Sequence, residues 1–254
     1  MRDDESFSER STFARLWPAW VGIGLAIFIA LALMREPFQK TPKQLENEVL
    51  AETDNVPALE ALKAHFPADY RTFFEVVSET ENAEGRAASI REAKLFMRSF
   101  MRAKGEQLLS APDEELRAVA TSIANALTAL READPALCGQ YVMWGVSLDG
   151  RTTSNVALAF SRATADQIRA ARAAERAPRP PRPAFDDAAV DAFVARLNAR
   201  DPVTGGLVRG QRLDRATPLQ QCQAGISFYR TAASLPGPEA GNATAHFIRI
   251  SMGS

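Results

Sequence analysis

Histidine and cysteine are scarce in this chain of 254 residues, with two of each. His65 and His246 lie far apart and have no neighbours at metal-ligand spacing. HExxH and CxxC are both missing, so neither a metal centre nor a bound cofactor is expected. A glycine-rich phosphate loop is missing too. The nearest approach to a nucleophile elbow, GVSLDG at 145–150, has its second glycine one residue late for G-x-S-x-G, and Ser-x-x-Lys does not occur. That stretch is expected to form a tight turn. Charge of one sign is also lacking. The net charge of −1 supplies no broad field toward nucleic acid, so no nucleic-acid partner is expected and any anion binding must come from a local patch. What the chain does not lack is apolar content: 46% is ordinary for a folded protein and excludes wholesale disorder.

One apolar run stands out. Residues 16–34, LWPAWVGIGLAIFIALALM, contain no ionisable side chain and are bounded by Arg15 and Arg35. As a helix this run is roughly 28 Å long, close to the ~30 Å hydrocarbon core of a bilayer. A soluble helix of that length would carry a polar face, and this one has none. Trp17 and Trp20 lie near one end, where amphipathic rings favour headgroups. Pro18 falls in the first turn and breaks no helical bond. We therefore expect an uncleaved transmembrane helix over 16–34, preceded by a cytoplasmic tail over 1–15. The rival is a cleaved export signal ending at Ala30-Leu31-Ala32. Against it, the run exceeds the usual h-region, and the leader carries four acids against three arginines. Positive residues flank the run equally, so orientation comes from the cysteines. A disulfide between Cys138 and Cys222, 84 positions apart, suits an exported domain. It would contribute roughly 4–5 kcal/mol by restricting the unfolded chain. The expectation is a single-pass inner-membrane protein with its N-terminus cytoplasmic and its C-terminal domain periplasmic.

The remainder reads as mainly α. A helical domain is expected over 35–177, a Pro/Arg spacer over 178–183 and a C-terminal helical part over 184–254 packed on the preceding domain. Thr41-Pro42-Lys43-Gln44 combines a cap, a first-turn proline and a capping-box glutamine. The segment 86–109 reads as one long helix. From 113 to about 132, Leu116, Val119, Ile123, Ala126, Leu127 and Leu130 form a stripe at helical spacing. LCGQYVMWGVSLDG reads as an irregular packed turn or the tail of a helix. DPVTGG reads as a helix stop followed by polar loop to Ala216, and PGPEAG as another break. ATAHFIRIS alternates like a strand, giving a short extended C-terminal segment.

Three further features suit contacts. Gly22, Ala26 and Ala30 form a smooth face on the apolar run that would let the span pack on itself or on another membrane protein. On one helix, Arg91, Lys94, Arg98 and Arg102 line the side away from Phe96, Met97, Phe100 and Met101, a pattern that fits an anionic surface or a solvated row over a core face. Arg169, Arg172, Arg176, Arg179 and Arg182 form a second series of candidate anion contacts, running off a helix into the spacer. The expected role is non-catalytic: a scaffold, adaptor or accessory subunit of a membrane or envelope assembly, with lipid and another membrane protein as partners. The alternatives are a hydrolase-type envelope enzyme whose site assembles only on folding, and a secreted soluble binding protein.

Overall fold

A computed structural model describes residues 40–52, 56–146, 148, 151–179, 182–183 and 185–252. The expected span over 16–34, with Gly22, Ala26 and Ala30, lies outside the described residues. Among the described residues no helix is long and apolar enough to cross a membrane.

All regular structure among the described residues is helical. The order is α1 (Pro42–Glu52), α2 (Pro57–His65), α3 (Pro67–Glu84), α4 (Arg86–Ala103), α5 (Gly105–Leu109), α6 (Asp113–Ala133), α7 (Pro135–Trp144), α8 (Ser154–Arg176), α9 (Asp187–Arg200), α10 (Pro202–Arg209), a 3-10 turn (Leu213–Arg215), α11 (Pro218–Ser234) and α12 (Gly237–Met252). Proline opens six of the described α-helices, where its missing N–H leaves no bond unmade.

The centre of the fold is α6, which packs against α7, α8, α11 and α12. Its expected stripe is the buried one: Leu116, Val119, Ala126, Leu127 and Leu130 are fully enclosed and Ile123 nearly so. Removing each large member from water stabilises the fold by about 1.5–3 kcal/mol. A second layer is built by α1 to α4, with α2 seated on α8. Edge-to-face aromatic pairs, Phe66 with Phe100 and Phe73 with Phe96, join α2, α3 and α4. Met97, Phe100 and Met101 are buried and Phe96 packs on this core. The apolar side of α4 is therefore core.

The two cysteine sulfurs lie at disulfide distance, with Cα atoms 5.2 Å apart, joining α7 to α11. Gly139 on α7 meets the backbone of Pro218, and a Cβ there would overlap it, so these two helices approach closely.

Four sequence expectations are corrected, the first being the single helix over 86–109, which breaks at Lys104 into α4 and α5. Residues 135–144 form a regular helix, capped by Asp134, whose side chain accepts from Leu137 N, and ended by Gly145 in the left-handed region. Leu137, Cys138, Tyr141, Val142 and Met143 are buried, and the exposed side holds Ala136, Gln140 and Trp144, only one of them polar, so hydropathy does not reveal the period. Asp201-Pro202 ends α9 at Arg200, as expected, and at once starts α10. Asp201 caps it, and Gly205 lies where a Cβ would meet Asn198 of α9. The stretch to Ala216 thus holds a helix and a 3-10 turn, not only loop. The expected extended C-terminal segment is helix α12, whose buried Ala240, Ala243, Phe247 and Ile248 recur at helical spacing. The alternation in HFIRIS came from a helix turning half-buried positions outward.

Candidate functional site

Two charged groups, Lys40 and Arg182, are fastened inward. Lys40, only 11% exposed at its side chain, pairs with Glu48 of α1 (2.6 Å) and Glu81 of α3 (3.1 Å). Its backbone N–H donates to Asn82 Oδ1 (2.7 Å), and Asn82 Nδ2 donates back to the Lys40 carbonyl (2.9 Å). Burial alone would lower the pKa of this ammonium, but the bonds and charges of Glu48 and Glu81 outweigh it and raise it.

Arg182, expected among the anion contacts, is occupied within the chain. Its guanidinium donates to Asp113 Oδ1 (2.6 Å), Asn242 Oδ1 (3.1 Å), the Leu109 carbonyl (3.0 Å) and the Ala111 carbonyl. Gly241 of α12 makes room for this cluster, because a Cβ there would strike the Asp113 carboxylate and the Arg182 guanidinium. Arg179 approaches Asp113 at 3.7 Å. Asn242, the first residue of an Asn-x-Thr sequon, is engaged by Arg182, and Thr244 is fully buried.

The other basic positions point outward to different degrees. On α4, Arg91, Arg98 and Arg102 are exposed and Lys94 is half-buried; the Arg91 guanidinium donates to the Ala87 carbonyl (3.1 Å). On α8, Arg169 pairs with Asp166, Arg172 pairs with Glu175 (2.8 Å), and Arg176 is exposed. Lys104 also reaches Glu175 (2.7 Å) and lies 4.6 Å from the centre of the Phe66 ring. His65 sits beside this row. Burial first, then the charges of Arg176, Arg169 and Arg172, hold its imidazole below the usual histidine range.

A concavity among the described residues reaches α8 at Arg162 and at Asp166, the partner of Arg169. It is an open groove of about 540 Å³ between α6 and α8. Glu114, Arg117, Ala118, Thr121, Ser122 and Asn125 line it from α6, and Ala159, Arg162 and Asp166 from α8. The α6 positions recur three and four apart because they form the side of that helix opposite its buried stripe. Arg117 is anchored by donating to the Leu235 carbonyl (3.0 Å). The Ser122 hydroxyl donates to the Val119 carbonyl of its own helix (3.0 Å). The structure thus brings Arg169 to the groove only through its pair with Asp166, turns Arg172 toward Glu175 and the Phe66 ring, and leaves Arg176 exposed at the end of α8. The α4 row stands on a different element, and Arg182 is taken away from both. Sequence reasoning missed the groove, along with Arg117 and Arg162. The only available signal was a run of small and polar residues on α6, which reads like any solvated helix face. No protein-family model matches this chain, and comparison with curated proteins and with solved structures finds no significant similarity.

Proposed function

We propose that this chain is a single-pass, membrane-anchored helical protein that acts as a scaffold, adaptor or accessory subunit of a membrane or envelope assembly, with its N-terminus cytoplasmic and its helical domain periplasmic. The apolar run over 16–34 supports the anchor. The paired cysteines suit an oxidising compartment. The observation that carries the adaptor role is the form of the groove: open, bounded by two helices and floored by small side chains. That is the shape that receives another helix, whereas small-molecule sites enclose most of their ligand.

Fractionation with crosslinking tests this reading. The full chain should stay with membranes through an alkaline carbonate wash and leave them only in detergent. A photo-crosslinking residue at Thr121 should give discrete adducts with membrane neighbours. Recovery in the soluble fraction with a new N-terminus after Ala32 would overturn the anchor in favour of a secreted binder, and an intact, uncrosslinked chain would overturn the adaptor role.

A further inference from the structure

We infer that the groove between α6 and α8 docks an acidic amphipathic helix of a partner protein, its carboxylates seated on an arginine row of α8. This deepens the adaptor reading and rests on it.

The first support is shape. From Glu114 to Asn125 the lining residues of α6 cover about 16 Å of helix, the length of three turns. Ala118, Ser122 and Ala159 are short enough for a third helix to approach at the usual 8–10 Å between axes.

The second support is charge. Arg162, Arg169 and Arg176 recur every seven residues, which places them on one side of α8 along about 21 Å. Among the described residues neither Arg162 nor Arg176 has an ion-pair partner, and both are exposed. Arg117 adds a cation on the α6 side. The acids at the groove are Glu114 and Asp166, and Asp166 is already paired with Arg169. The groove lining itself is balanced, with Arg117 and Arg162 against Glu114 and Asp166. Arg169 neutralises Asp166 and Arg176 extends the row beyond the lining, so the excess along the row is positive and the complementary helix carries carboxylates at the matching interval.

A lipid surface fits less well. A flat bilayer would touch the arginines and leave the groove floor unused. The large exposed apolar residues that could insert (Leu95, Trp144, Val190, Val203 and Leu219) lie on other helices.

The probe is a labelled helical peptide of about 18 residues with glutamate at seven-residue intervals and alanine on the groove side, titrated onto the full chain in zwitterionic nanodiscs. A scrambled peptide of the same composition is the control. The designed peptide should bind about ten-fold tighter than the scrambled one, and more weakly as salt rises. Arg162→Glu with Arg176→Glu should weaken binding by about ten-fold or more. Ala118→Arg should block the floor while leaving the arginines in place; circular dichroism confirms that each variant is folded. Equal binding of the scrambled peptide, indifference to Ala118→Arg, or capture of anionic vesicles that depends on Arg162 and Arg176 would overturn the proposal. Absence of peptide binding by a chain that still fractionates with membranes and crosslinks to neighbours would overturn the groove assignment alone and leave the adaptor reading standing.

Discussion

Arg182 joins three segments that are distant in the chain: the turn between α5 and α6, the spacer that carries it, and the first turns of α12. Its planar fork meets a carboxylate, an amide and two carbonyls at once, a geometry lysine could not reproduce. At 12% exposure its charge is mostly desolvated, so deleting it leaves Asp113 and two carbonyls without their donors. Arg182→Ala should therefore destabilise the protein by about 2–3 kcal/mol in denaturant titrations. Gly241→Ala should reproduce part of that loss, about 1–3 kcal/mol, by overpacking the same cluster. A surface row would behave differently: Arg98→Ala on α4 should stay within about 0.5 kcal/mol. The sequence places Arg182 in the same series as Arg169 and Arg176. Nothing in residue spacing separates a guanidinium folded inward from one left in water, because the partner carbonyls belong to segments about 70 residues away.

Helix boundaries follow local chemistry wherever a cap and a proline coincide. Thr41 and Thr217 each form a capping pair with a glutamine three residues on, and both helices begin there. Asp201 has the same chemistry yet reads as a stop, because Gly205 and Gly206 follow it in sequence. Their effect is tertiary: Gly205 lets α10 lie against Asn198, and packing outweighs the low helix propensity of glycine. Asp201 also accepts from Ser227 Oγ of α11 (2.6 Å) and from Thr204 Oγ1 (2.8 Å), so one carboxylate both starts α10 and fastens it. Burial alone would raise its pKa, but the hydrogen bonds from Ser227 and Thr204 prevail and lower it. A carboxylate with a depressed folded pKa contributes stability above its unfolded value, near 3.9, and that contribution fades as pH falls through the folded value. Asp201→Asn, which keeps a capping oxygen but no charge, should lower stability at pH 7 by about 1–2 kcal/mol. It should also flatten the loss between pH 5 and pH 3, as read by thermal melts across that range.

The mainly helical class is legible from composition and punctuation, and the pairing of Cys138 with Cys222 from there being only two candidates. The order of packing is not, since it depends on which faces meet, as when α12 passes from an apparent strand to a helix covering α6. The cystine bridges α7 to α11 across the whole of α8, the spacer, α9 and α10. Cys138→Ser with Cys222→Ser should lower stability by about 3–5 kcal/mol while the helical content seen by circular dichroism persists, because α6 and its partners supply most of the apolar burial. Loss of all helicity in the double variant would show instead that the bridge is a condition of folding.

The same bridge changes how the molecule would bear a pull. The 84-residue separation closed by it could pay out about 290 Å of slack if open, at the ~3.5 Å per residue of a taut strand. Sealed, it pays out almost none. Tension along the chain crosses from α7 straight to α11 through two sulfur atoms, and the loop that contains α8, its arginines and the floor contributed by Ala159 carries no load.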